Sequence, residues 1–239
     1  MAVELININT VYQTVLALAN KEQRGYITPQ EFNLFAKQAQ MQIFEQYFYD
    51  LNQFKRVPGN QSDSVDMTGI IEEKLSTFLR DTSVGGQTAL PPDFYRIHSL
   101  VQVTPSTGSR HLVEIVEKRK AMQLQSSGPL TRPSRSRPIA YIDNNALRVL
   151  PALTEEQSSS FTKALTYYKS PENPRWSYIV VNEKPLYNAN SSIHFELHKS
   201  EEYDLILKIL QMAGIAIKEF SLTQAAGQAE VNIVSQQKQ

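Results

Sequence analysis

The spacing of apolar residues changes along this chain, and that change limits the fold more than any other sequence feature. From Phe32 to Leu51 apolar residues recur at steps of three and four, which is typical of an amphipathic helix. From Tyr95 the period falls to two, which is typical of half-buried strands. Helices followed by a run of strands predict a protein of the α+β class.

The start of the long helix carries the strongest local signal. Thr28 is the expected N-cap, Pro29 the first helical residue and Glu31 the residue that completes a capping box. We expect this helix to run to about residue 54. A first helix precedes it and is expected to end at Gly25, because glycine tolerates the positive φ of a helix terminus.

Loops and strands are predicted from composition and alternation. The segment 57–64 is expected to be a loop, and a shorter helix through Phe78 is expected to end at 83–88. Strands are predicted in 95–104, 111–116, 139–151 (a hairpin with Asn at its turn), 161–169, 176–181 and 193–197. The segment 126–138, SSGPLTRPSRSRP, is expected to be a long loop, which we call the arginine loop.

These elements divide the chain into four parts. Residues 1–89 are expected to be helical and 90–199 to form a β-rich domain. A C-terminal helix over 200–220, capped by Ser200, is expected to pack on the helical region, so that a helical bundle carries the β-rich part as an insertion. Residues 221–239 are rich in Gln and Ala and are expected to form an extended tail that orders only against a partner.

The residues that could carry chemistry do not form a catalytic or metal-binding pattern. The absence of cysteine excludes disulfides, thiolate catalysis and Cys-ligated metals, and no phosphate loop, GxSxG or HExxH motif occurs. Asp63 and Asp66 have no third carboxylate at ligand spacing, and His194 and His198 lie about 13 Å apart on an extended strand. We expect no enzyme activity, no metal and no cofactor.

Membrane and charge-driven partners are not indicated by the whole chain. No apolar stretch approaches the length of a membrane span, and the N-terminus lacks the pattern of a secretory signal, so the chain is expected to be soluble and made in the cytoplasm. Lys plus Arg equals Asp plus Glu, at 24 each. The stretch 110–137 is locally basic, and Arg132, Arg135 and Arg137 are expected to contact either a protein neighbour or phosphate.

The long helix carries more aromatic residues than one side of it can bury. Tyr47, Phe48 and Tyr49 are consecutive, and consecutive helix positions point about 100° apart. At least one ring should therefore face something beyond the helical bundle. We take Tyr47, Tyr49 and Phe54, with the three loop arginines, as the candidate oligomer or partner contacts.

The order of these elements resembles that of head–tail connector, or adaptor, proteins of short-tailed bacteriophages. The resemblance rests on LPPDFYRI before a β-rich insertion, LRVLP, LTYYKSP, and a return helix after HFELHKSEEYDLILKIL. The segment KEQRGYITPQEFNLFAKQAQMQIFEQYFYDLNQF (21–54) is similar to the N-terminal segment of ring proteins from crAss-like phages of Bacteroidota. The resemblance covers most of residues 1–220.

The resemblance implies a virion protein made in the bacterial cytoplasm and located at the head–tail junction. It would form a homo-oligomeric ring of twelve copies that binds the portal protein, extends the DNA channel and meets a neighbouring tail ring. The near-neutral charge agrees with passive contact with genomic DNA in the channel. The alternatives are a more distal tail ring protein and a nucleic-acid-binding accessory protein that uses the basic stretch 110–137.

Overall fold

The computed structural model describes residues 5–21, 27–54, 61–84, 87–103, 108–151 and 162–216. Helices and mostly antiparallel sheets occur together in these residues, which confirms the α+β class. The chain divides into two compact units. We call them the helical unit, Met1–Thr77 with Pro171–Gln239, and the sheet unit, Phe78–Ser170. The sequence analysis predicted the domain boundaries further along the chain, at 89/90 and 199/200, because it assigned all of the predicted strands to a single β-rich domain.

The helical unit is built on long helices with one buried stripe each. It contains α1 (Ile8–Lys21), α2 (Pro29–Phe54), α3 (Gln61–Ser76) and α5 (Glu202–Ala216), while α4 (Lys118–Gln125) belongs to the sheet unit. Helix α2 contacts α3 and α5, and α1 contacts α5. The period-3.6 pattern of α2 is confirmed for most of its positions, because Phe32, Ala36, Ala39 and Ile43 are buried; Phe35 and Leu51 of the same pattern are half-buried.

The predicted capping box starts helix α2. The Thr28 hydroxyl oxygen accepts from the Glu31 backbone N–H at 3.3 Å, and the Glu31 carboxylate accepts from the Thr28 N–H at 2.9 Å. These bonds, with a further bond from the Thr28 hydroxyl to the carboxylate at 2.7 Å, lower the pKa of Glu31. Helix α3 begins earlier than expected, so the prediction of a loop over 57–64 is wrong for residues 61–64.

Two four-stranded sheets form the sheet unit, in the orders β1-β8-β3-β4 and β2-β7-β6-β5. The strands are β1 (Leu79–Val84), β2 (Gln87–Ala89), β3 (Phe94–Val103), β4 (Arg110–Leu112), β5 (Glu114–Ile115), β6 (Ile139–Asp143), β7 (Ala146–Leu150) and β8 (Thr162–Lys169). Their buried side chains share one core to which both sheets contribute, for example Leu100 and Leu165 from one and Ala140 and Leu147 from the other. Helix α4 packs on the second sheet through Ala121.

The β6–β7 hairpin was predicted correctly, whereas pairings between distant segments were not. The β6–β7 hairpin has the expected Asn turn, with positive φ at Asn144 and Asn145. Residues 79–84, expected to end a helix, form strand β1 because they pair along their whole length with β8. The single strand expected over 111–116 is two strands, since β4 pairs with β3 while β5 pairs in parallel with β6.

After Pro171 the chain returns to the helical unit and adds a two-stranded hairpin, β9 (Tyr178–Val181) and β10 (Lys184–Tyr187). The strand expected over 193–197 is wrong, because Ile193 forms only an isolated bridge with Arg175. Ahead of α5, a short 3₁₀ turn (Lys199–Glu201) is capped by the side chain of His198, in place of the expected Ser200. Gly25, residues 217–220 and the tail 221–239 lie outside the described residues.

Candidate interaction surfaces

The three consecutive aromatic residues of α2 separate as the helical geometry requires. Tyr47 is 6% exposed and Phe48 is also buried, whereas Tyr49 is 66% exposed. Tyr47 therefore packs within its own chain, and Tyr49 is the member of the run that is available to a partner. Phe54 is the last residue of α2, and its side chain lies outside the part of the chain that the structure describes.

Tyr47 is buried beside a cluster of charged groups. The Lys74 ammonium pairs with the Glu201 carboxylate and lies 5.8 Å from the centroid of the Tyr47 ring. Burial, and after it the negative charges of Glu201 and Asp204, raise the pKa of the Tyr47 phenol. This cluster joins α2, α3 and the start of α5, so its role is to hold the helical unit together.

All three side chains of the arginine loop that we proposed as contacts are exposed. Arg137 helps to shape the loop, because its guanidinium donates to the carbonyl oxygens of Leu130 and Thr131 at 3.3 and 3.1 Å. In the described part of the chain, no carboxylate forms an ion pair with Arg132, Arg135 or Arg137. Leu130 is 93% exposed on the same loop, so an apolar group accompanies the cations.

The rest of the basic stretch is partly neutralised by nearby carboxylates. Lys118 pairs with Asp143 at 2.7 Å, and Lys120 lies 3.7 Å from Glu114. The hydrogen bond from Lys118 lowers the pKa of Asp143. The positive charge of 110–137 that remains for a partner is therefore smaller than the sequence indicates, and much of it lies on the arginine loop.

Two surfaces of the helical unit were missed by the sequence reasoning. The β9–β10 hairpin exposes aliphatic side chains, and a groove of about 490 Å³ lies between the first turns of α2 and the segment before the hairpin. The groove is lined by Gln30, Asn33, Leu34, Asn173, Pro174, Arg175 and Ile193. The pair Asn182-Glu183 between two apolar runs was the signal for the hairpin, since Asn favours the turns that close one.

His194 and His198 serve local structure. The ring Nδ1 of His194 accepts from the backbone N–H of Ile8, where α1 begins, and Nδ1 of His198 accepts from the N–H of Ser200. Within the described ranges, no three His, Asp or Glu side chains come together in a way that could hold a metal ion. Among those same residues, no helix has both the length and the apolar character that crossing a bilayer requires.

No family model matches this sequence, and no curated protein matches it either. The surfaces described above, together with the resemblance of the sequence segments, are therefore the basis for a functional proposal.

Proposed function

We propose that this protein is a structural subunit of a head–tail connector ring in a short-tailed, crAss-like bacteriophage. In the virion the ring binds the portal protein and extends the DNA channel toward the next tail ring. The observation that carries the proposal is the apolar surface that remains exposed among the described residues, on the β9–β10 hairpin, at Leu34 and at Tyr49. Apolar patches of this kind mark contacts with other proteins.

The helices provide the surfaces for such a ring. Helix α2 is 26 residues long and exposes Tyr49 and Leu34 while Tyr47 fixes it to α3 and α5. In the assembled ring the helices act as a bundle that packs against neighbouring copies and the portal, and the tail 221–239 extends onto a partner.

The charge distribution fits a channel through which DNA passes. The whole chain carries equal numbers of acidic and basic residues, so it does not hold DNA by net charge. The arginine loop departs from this balance, because Arg132 and Arg135 are exposed and no described carboxylate pairs with them. A loop of this kind can reach either an acidic protein surface or the phosphates of DNA in the channel.

The proposal is tested by measuring assembly of the full-length protein alone and with the portal protein of the same phage. Mass photometry should give a discrete oligomer, and negative-stain class averages should show rotational symmetry, with twelve subunits expected. Protein that stays monomeric at about 100 µM and also fails to co-sediment with the portal would refute the proposal.

A nucleic-acid-binding accessory function is the second candidate, and the exposed arginines are the observation that favours it. Replacement of Arg132, Arg135 and Arg137 by alanine tests it with a labelled DNA duplex. An accessory protein would bind tightly in low salt, lose affinity steeply as salt rises, and lose binding in the triple variant. A connector subunit with a protein-facing loop would show weak DNA binding that the triple variant leaves unchanged.

A further inference from the structure

The β9–β10 hairpin is a short arm with a fixed base. Asn182 and Glu183 form its two-residue turn with φ of 49° and 62°, values that match a type I′ turn. At the other end, the Trp176 ring stacks on Tyr178 and Tyr187 with centroids 5.7 and 5.8 Å apart. The Trp176 indole N–H also donates to the Asn9 side chain at 3.1 Å, which ties the base to helix α1.

The tip of this arm is apolar on both faces and uncovered on both. Ile179 lies opposite Leu186 on one face together with Val181, while Val180 lies on the other face. These four side chains are between 45% and 63% exposed. Each of these exposed apolar side chains would gain stability from burial against another surface. A two-stranded hairpin on its own is only marginally stable in water, so burial of this tip against another surface would stabilise the arm.

The outer edge of β10 is blocked against a further strand. Val181 and Lys184 flank the turn as a hydrogen-bonded pair, so the next pair, Val180 and Pro185, is a non-hydrogen-bonded one. The nitrogen of Pro185 then points away from β9, and proline has no N–H to donate. Lysine and proline at an edge oppose strand addition. A partner at the β10 side therefore meets the arm through its side chains.

The groove beside the start of α2 has the complementary character. Leu34, 68% exposed, and Ile193 and Pro174 give it an apolar lining of a size that accommodates several aliphatic side chains. Asn33 is committed to the backbone of Trp176, with bonds of 2.7 and 3.1 Å. Arg175 is exposed at the groove, and its guanidinium donates to the carbonyl oxygen of Ser191 at 3.1 Å.

We infer that the hairpin tip of one copy occupies the groove of the next copy, where Glu183 meets Arg175. Tip and groove match in two ways, because an apolar tip with a carboxylate at its turn faces an apolar groove with a guanidinium. The two surfaces are different parts of one unit, so the contact is head-to-tail and repeats from copy to copy until a ring closes. The inference rests on the proposed function and names the contact by which the ring assembles.

A stable interface buries about 800 Å² on each partner, so the tip and the groove form one part of a larger contact between copies. In a closed ring each copy places its hairpin tip in the groove of one neighbour and accepts the tip of the other neighbour in its own groove. Both surfaces of every copy are then buried. The hairpin does not fill the groove of its own chain, because its tip residues are exposed there.

Reciprocal charge reversal of the full-length protein tests this contact. Glu183→Arg alone places two cations together, and Arg175→Glu alone places two carboxylates together. Each variant should raise the concentration needed for half-assembly by about tenfold or more in mass photometry. An equal mixture should return to within about threefold of wild type, because alternating copies then pair every Arg with a Glu. Glu117→Arg, an exposed position in the sheet unit that is outside the proposed contact, makes the same charge change; it is the control and should assemble normally.

The outcomes separate this inference from the function on which it rests. If wild-type protein forms rings and the reversed variants form them equally well, or the mixture does not recover, the head-to-tail contact is wrong while the connector proposal stands. Rings that form normally in Glu183→Arg but no longer bind the portal would assign the hairpin to the portal and overturn the inference. An equal loss in Glu117→Arg would also overturn it, since net charge would then be the cause. Wild-type protein that never assembles, with or without portal, refutes both proposals. Unchanged Trp176 emission verifies that the base of the arm is intact in each variant.

Discussion

Replacement of Lys74 by methionine is expected to destabilise the helical unit by about 3 kcal/mol. Lys74 pairs with Glu201, and their side chains are 21% and 7% exposed. Without the ammonium, a buried carboxylate is left beside Tyr47 and close to Asp204, which adds a second negative charge to the same region. Breaking a buried ion pair from one side costs about 3–5 kcal/mol. The lower end of this range applies because the Lys74 side chain keeps some contact with water, and because methionine retains much of the apolar part of the lysine side chain.

A double-mutant cycle is completed by a variant that also removes the carboxylate of Glu201. Lys74→Met combined with Glu201→Gln leaves no unpaired charge, so its stability should lie within about 1 kcal/mol of wild type. The coupling between the two sites should therefore be about 2 kcal/mol or more. Lys37→Met removes an exposed cation from α2 in the same unit and should cost under about 0.5 kcal/mol, so it serves as the matched control.

Urea unfolding followed by tryptophan emission gives the measurement. Trp176 is the single tryptophan and is buried in the helical unit, so its emission reports the unit that contains the pair. The protein concentration is kept low and constant, because assembly would stabilise the native state. A cost below about 1 kcal/mol for Lys74→Met, or a double variant as unstable as the single one, would refute the reasoning.

Further predictions concern the cap of α2, a buried amide, the sheet core and the exposed ring. Thr28→Ala should cost about 1 kcal/mol in urea unfolding. The pKa of Glu31 is lowered by its bonds to Thr28, so the stabilisation that Glu31 gives is fully present above the ordinary pKa of about 4.5 and is lost as the pH falls through its lowered folded-state pKa. The difference in stability between wild type and Glu31→Gln should therefore shrink as the pH is lowered below about 4.5. Gln40→Leu should cost about 2 kcal/mol, since it leaves two backbone groups without the bonds of 2.7 and 3.1 Å that they form. Leu165→Ala should cost about 2–5 kcal/mol, measured by circular dichroism of the sheet unit. Tyr49→Ser should change stability by under about 0.5 kcal/mol while weakening assembly or portal binding; loss of stability with normal assembly would contradict the interface role.

The parts of the fold that sequence reasoning predicted correctly are those fixed by nearby residues. The start of α2 depends on Thr28, Pro29 and Glu31, and its buried stripe depends on spacing within the same helix. The turn of the β6–β7 hairpin depends on Asn144 and Asn145. In each case the residues that stabilise the element lie within a few positions of one another, so their pattern was visible in the sequence.

The errors involve pairings between distant residues or a residue that usually argues against a strand. Strand β1 forms because it pairs with β8, which lies some 80 residues further along the chain, and no local pattern records that pairing. The β10 strand was missed partly because Pro185 counts against a central strand. In this hairpin the proline is tolerated, since β10 is an edge strand and the proline nitrogen faces away from β9.

The candidate site shows a deeper limit on what a sequence pattern can tell. Tyr47 and Tyr49 are the same residue type two positions apart, and both were predicted as contacts because the helix seemed to carry too many rings for its own unit. The structure buries Tyr47 beside Lys74 and Glu201 and leaves Tyr49 exposed. The apolar character of a side chain indicates that its burial is favourable, but it does not show whether the same chain or a partner chain buries it. That distinction depends on which surfaces remain after folding, and the hairpin tip and its complementary groove became visible only at that stage.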